Sequence, residues 1–175
     1  LKWSGFDWEK PAMNAEIRRS ELSDPQILRL ISQLDSYQSE LYPPESNHLD
    51  SPHDLKQAEA FLVGAFIGDH AVGIGAVKLS PSMRYGEIKR VYVEENSRGL
   101  GISGQIMGAL EAYARDQGCH SLVLETGIFQ KSAIRLYERL GYHYRTAFGD
   151  YPADDPHSVF MEKNLAESSR ELLEA

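Results

Sequence analysis

Residues 86–105 read GEIKRVYVEENSRGLGISGQ, and the fold turns on how this stretch is parsed. Ile88 to Val93 is a short apolar run of strand type. Glu94-Glu95-Asn96-Ser97 makes a polar bend. Arg98-Gly99-Leu100-Gly101-Ile102-Ser103-Gly104 then opens a helix. A strand feeding a Gly-rich turn into a helix N-terminus makes an anion site. The glycines let backbone N–H groups approach a ligand, and the first helical turn carries free donors at the positive end of the dipole. Arg98 adds a fixed positive charge at the mouth.

Working outward, Ala60 to Ile67 and Ala71 to Leu79 are apolar runs separated by Gly68-Asp69-His70, the clearest hairpin in the chain. With a turn at Pro81-Ser82-Met83 and a strand over Arg84 to Val93, three antiparallel strands precede the Gly-rich turn. After it, Ile102, Ile106, Met107, Leu110, Tyr113 and Ala114 share one helical face, which Gly118 ends. Ser121 to Thr126 predicts a buried strand, Lys131 to Leu140 a second amphipathic helix, and Tyr142 to Tyr144 and Ser158 to Asn164 the last strands. Upstream, Ala15 to Ser20 predicts a first strand. Asp24-Pro25 starts a helix that Tyr42-Pro43-Pro44 stops. Glu45 to Asp54 reads as a polar loop, solvated or covering a substrate, and its His48, Asp50, His53 and Asp54 match no metal-ligand spacing. The fold class is α/β (α+β), a mixed and largely antiparallel sheet flanked by helices, with one right-handed parallel crossover over 88–125.

Of the 175 residues, 14–165 read as one domain. Residues 1–13, which do not begin with Met and hold both tryptophans, are set apart as a peripheral leader, and 166–175 as a polar tail. No apolar run approaches the roughly 20 residues of a membrane helix. A single cysteine, Cys119, excludes an internal disulfide, fits a reducing cytoplasm, and reads as a small hydrophobe. The net charge of −8, with no basic stripe, argues against nucleic acid and favours a cationic or neutral substrate.

Two familiar readings of the glycines fail. Gly99 and Gly104 have P-loop separation, but Gln105 stands where that motif needs lysine. Gly99, Gly101 and Gly104 spell a dinucleotide fingerprint, and Glu125 falls at a ribose-binding distance. Yet Glu94 to Arg98 separate the turn from its strand, and too few βα units follow. A nicotinamide-dependent reductase therefore fits poorly.

The unit Arg98-x-x-Gly101-x-Ser103 resembles the acyl-CoA pyrophosphate loop of the GNAT N-acyltransferase superfamily, Gln/Arg-x-x-Gly-x-Gly/Ala. Ala133-x-x-x-Tyr137-x-x-x-Gly141-Tyr142 is similar to a second family stretch, and the likeness spans about residues 15–165. The stretches GEIKR-YV, LETG and FGDYP are similar to a bacterial subgroup of small GNAT enzymes. Ser103 departs from the usual small residue, and Gln130 stands where the family often has asparagine.

The resemblance implies an N-acetyltransferase that moves an acetyl group from acetyl-CoA to a small-molecule amine by direct attack. It implies that backbone groups of Arg98, Gly99, Leu100, Gly101, Ile102, Ser103 and Gly104 hold the pyrophosphate. Main-chain groups of Val91, Tyr92 and Val93, with Gln130 and Ala133, would meet the pantetheine. Tyr137 becomes the general acid, although periodicity alone makes it a core tyrosine. Glu87 is placed first as the base, with Glu125 and solvent as the alternatives. Tyr42, Glu45, His48, Glu125, Asp150 and Tyr151 are candidate substrate residues. In the central strand, Glu87, Lys89, Val91 and Val93 alternate with Ile88, Arg90 and Tyr92, so neither face is cleanly apolar. Either the strand is half solvated or it carries an irregularity. A non-catalytic acyl-CoA sensor on the same fold is the alternative, and pairing of two copies through sheet edges stays open.

Overall fold

The computed structural model describes residues 15–80 and 84–165. The leader, the tail and the turn at 81–83 lie outside the described residues. Seven strands form one sheet: β1 (Glu16–Arg19), β2 (Phe61–Ile67), β3 (His70–Ser80), β4 (Tyr85–Val93), β5 (Ser121–Gly127), β6 (His143–Arg145) and β7 (Ser158–Asn164). Their order is β1-β2-β3-β4-β5-β7-β6. Every neighbouring pair is antiparallel except β4–β5, which is parallel. The helices are α1 (Pro25–Leu41), α2 (Pro52–Gln57), α3 (Ile102–Asp116) and α4 (Lys131–Arg139).

The sheet separates two apolar layers. On one face α1 and α2 bury Ile27, Leu30, Ile31 and Leu55 against Leu62, Phe66 and Ile74. On the other, α3 buries Ile102, Ile106, Met107, Leu110 and Ala114 against Val63, Val72, Val77 and Ile88, and Tyr137 of α4 joins this layer. Each large side chain removed from water here contributes about 1.5–3 kcal/mol, so the α3 stripe alone accounts for its docking.

The uneven pattern of β4 resolves into a β-bulge. Ile74 pairs with Tyr92 and Ala76 with Lys89, so Arg90 and Val91 together oppose Gly75. Arg90 takes a left-handed φ of 60°. The extra residue resets the alternation: Ile88, Val91 and Val93 all pack into the α3 layer, while Tyr92 packs into the α1 layer. The strict alternation read from sequence is therefore corrected by one residue. Gly75 is required because a Cβ there would run into Ile106 of α3.

The stretch 45–54 is also corrected. It is not wholly loop: Ser51 and Asp54 form a reciprocal capping box, with Pro52 in the first turn, and start α2. Leu55 anchors this short helix at 1% exposure. The preceding residues are tied down, with Asp50 paired to Lys78 at 2.7 Å and His48 to Asp155 at 2.9 Å.

Candidate active site

The parallel β4–β5 ladder runs only from Tyr85↔Ser121 to Ile88↔Leu124. Beyond it β4 bends away at the bulge, while β5 continues against β7 to Gly127. The edge of β4 that faces β5 thus has no strand partner over Lys89–Val93, and a wedge opens between the strands. Two cavities occupy it.

The larger, about 510 Å³, is lined by Val91, Tyr92 and Val93, by Arg98, Gly99 and Gly101–Gly104, and by Phe129–Ala133, Leu136, Tyr137 and Arg139. At its head α3 begins at Gly101, whose φ is 74° and whose cap has no side-chain hydrogen bond. The first N–H of the helix turned back to Gly101 is that of Gln105, at 3.2 Å. Helix geometry leaves the N–H groups of Ile102, Ser103 and Gly104 without intrahelical acceptors. A Cβ built on Gly99, Gly101 or Gly104 would meet nothing within 4 Å, so this cradle is open. Arg98 anchors it: Nε donates to the Val93 carbonyl at 3.0 Å, and the guanidinium lies over the rings of Tyr92 and Tyr37. Leu100 packs against the α3 layer. Lys131 and Arg139 add positive charge along the wall. The donors, the charge and the open cradle fit a bound pyrophosphate.

The smaller cavity, about 50 Å³, is lined by Gln38, His48, Lys89, Arg90, Glu125 and Thr126, among others. Leu34, Val91, Gln130, Ala133 and Tyr137 line both cavities. Tyr137 therefore stands where they meet. Burial pushes its phenol well above the ordinary range, and the charge of Glu125 adds to this. Gln130 turns its Oε1 to the Gly127 N–H at 3.0 Å and closes the turn between β5 and α4.

The two candidate bases differ in surroundings. Glu125 faces the small cavity. Burial raises its pKa, partly offset by a 2.7 Å hydrogen bond from Ser158 and by the charges of His48 and Lys89. Glu87 lines neither cavity. It accepts from the Tyr151 hydroxyl at 2.5 Å and lies 3.5 Å from Lys89 Nζ. Tyr151 in turn accepts from Lys89 at 2.8 Å. Of the other substrate candidates, His48 lines the small cavity, while Glu45 and Asp150 are exposed and line neither. The Tyr42 hydroxyl accepts from the Phe129 N–H at 3.0 Å, and its ring stacks on Phe129. Gly127 makes room for it, since a Cβ there would overlap the Tyr42 ring.

Sequence reading missed Asp155, which ties the loops around the site together. It accepts from Ser46 at 2.9 Å, from the His157 N–H at 2.9 Å and contacts His48 Nε2 at 2.9 Å. It also missed Lys89 and Arg90 as lining residues and Ser158 as the partner of Glu125. No local motif marks these positions. Only the register of β7 against β5, and the bulge, bring them to the wedge.

Comparison with known proteins assigns this architecture to a class of acyltransferases. The Acetyltransferase (GNAT) family matches residues 27–142, and the chain belongs to that family. An IAA acetyltransferase from Azospirillum brasilense is 39% identical over 148 residues, covering 85% of this chain and 95% of that protein. An uncharacterized N-acetyltransferase, YsnE, from Bacillus subtilis is 32% identical, covering 85% and 99%. The crystal structure of a putative acyl-CoA N-acyltransferase from Klebsiella pneumoniae superposes with a TM-score of 0.73 at 39% identity, covering 88% of this chain and 99% of that one. A Thermoplasma acidophilum PaiA N-acetyltransferase solved with coenzyme A shares the fold, with a TM-score of 0.69 at 16% identity, covering 87% and 99%. Among the described residues, no helix is long and apolar enough to cross a membrane.

Proposed function

We propose that the protein transfers an acetyl group from acetyl-CoA to the nitrogen of a small-molecule amine by direct attack. The observation that carries the reading is the junction at Tyr137. A cavity headed by the free N–H groups of α3 meets there a small polar chamber holding Glu125.

In this reading the α3 N-terminus, Arg98 and the loop glycines hold the pyrophosphate, and the unpaired edge of β4 at Val91–Val93 lies along the pantetheine. The thioester supplies the activated acetyl group. Glu125 takes a proton from the acceptor nitrogen. A carboxyl with raised pKa suits this task better than one locked in ion pairs. Glu87, engaged by Tyr151 and Lys89, supports the chamber floor instead. Tyr137, protonated at any ordinary pH, has a proton to give to the departing sulfur.

The test is a screen of small-molecule amines, following free thiol from acetyl-CoA. Acetyl-CoA-dependent product with at least one amine supports the reading. CoA binding without turnover on any member sinks it in favour of a sensor.

A further inference from the structure

The ion pairs around the small chamber restrict what its acceptor carries. Two cations line it, Lys89 and Arg90, and both are consumed within the protein. The Lys89 ammonium is ringed by Asp50 at 3.2 Å, Glu87 at 3.5 Å, the His48 carbonyl at 3.2 Å and the Tyr151 hydroxyl at 2.8 Å. Its side chain is 8% exposed. An ammonium has only three protons to donate, so Lys89 is saturated. Arg90 is engaged by the Asp35 carboxylate and the Asp50 carbonyl. His48, the remaining basic group, is turned onto Asp155.

Glu125 is the opposite case. It makes no ion pair among the described residues, and the neutral hydroxyl of Ser158 donates a hydrogen bond to it. The chamber therefore presents one carboxylate outside any ion pair, while its two cations are held by other partners. Its volume, about 50 Å³, holds only a few water-sized groups. Whatever is bonded to the carbon next to the reacting nitrogen must enter with it.

We propose that the acceptor is an amine without a carboxylate on the carbon that bears it, an alkylamine or amine amide and not a free α-amino acid. This deepens the acyl-transfer reading and rests on it. An ammonium entering the chamber meets Glu125 as counter-ion, whereas an α-carboxylate brings a like charge beside Glu125 where Lys89 and Arg90 are already engaged. Juxtaposed like charges at a desolvated site cost several kcal/mol, so discrimination of tenfold or more follows.

The experiment compares kcat/KM for tyramine, L-tyrosine and L-tyrosinamide with the full-length protein and saturating acetyl-CoA. Tyramine is a more basic amine than tyrosine and the amide a less basic one. A preference for both over tyrosine, by about tenfold or more, isolates the carboxylate as the cause. In the double variant Asp50→Asn/Glu87→Gln, which takes both carboxylates away from Lys89, the preference narrows. Equal or better use of tyrosine overturns the acceptor class while leaving acyl transfer intact. An unchanged ratio in this double variant overturns the assignment of the exclusion to neutralised cations. No thiol release with any amine, despite acetyl-CoA binding, overturns the transfer reading itself.

Discussion

Ser158 on β7 donates a 2.7 Å hydrogen bond to Glu125 on β5, and this contact works against burial at the carboxylate that faces the small chamber. Burial raises the Glu125 pKa and the hydroxyl opposes that rise by favouring the charged form. A base acts when deprotonated, so activity falls as pH drops through the Glu125 pKa. Ser158→Ala removes the opposing bond. The acidic limb of the kcat/KM profile then moves to higher pH, with acetyl-CoA affinity unchanged, and Ser158→Thr restores it. Glu125→Gln lowers kcat/KM about 10²–10⁴-fold at neutral pH, the usual scale for a general base. A pH–rate series on the three variants reads both effects.

Tyr137→Phe keeps the ring in the α3 layer and deletes only the hydroxyl. Turnover falls by about 10²-fold or more, while CoA binding measured by calorimetry stays within twofold. Because burial holds the phenol protonated well above the ordinary tyrosine range, no basic limb in the wild-type profile below pH 10 belongs to Tyr137. Wild-type turnover in the Phe variant removes the acid role.

Gly101 caps α3 with a left-handed φ of 74°. A Cβ there meets no atom, so Gly101→Ala costs conformational strain and not a clash, about 1–2 kcal/mol. If the loop relaxes to avoid that strain, its N–H groups lose their common aim. CoA affinity is expected to drop about tenfold with little change in kcat, as isothermal titration and steady-state kinetics can separate.

Gly75→Val drives a side chain into Ile106 and Leu110, the centre of the α3 docking face. Overpacking of this kind costs about 1–3 kcal/mol. It also loads the strand opposite the β4 bulge, so both the urea midpoint and acetyl-CoA affinity should fall. A loss of stability with full affinity would uncouple the bulge from the wedge.

Asp155 joins three segments through Ser46, His48 and the His157 N–H. Against the opposing effect of burial, these partners hold its carboxyl at about 2. Its folded pKa is depressed, so the stabilisation is complete above the ordinary carboxylate range and is lost as pH falls towards about 2. Asp155→Ala leaves the His157 N–H without its acceptor, at a cost of about 1–3 kcal/mol. Thermal melts at neutral pH measure it, and a melt unchanged from wild type would remove the tie.

Much of this protein is written locally. The Gly-rich turn at 98–104, the hairpin of β2 and β3, the apolar stripe from Ile102 to Ala114 and the parallel crossover are consequences of residue spacing and backbone freedom. They are legible because each depends on neighbours in the chain. The same holds for Tyr137, whose placement on α4 follows from periodicity. The capping box at Ser51 and Asp54 was also there to be read, but its helix is one and a half turns long and its apolar signal is Leu55 alone.

What only the tertiary structure decided is the shape of the wedge and the choice of carboxylate facing it. The bulge at Arg90 and Val91 lies opposite Gly75, on another strand, whose missing Cβ leaves room for Ile106 of α3. One inserted residue then moves Val91 to the α3 layer and ends the β4–β5 pairing early. Glu87 and Glu125 look alike along the chain. Partners distant in sequence separate them: Tyr151 and Lys89 engage the first, while Ser158 donates to the second, which faces the chamber. Charge compensation is a property of three-dimensional neighbours, and no spacing rule carries it.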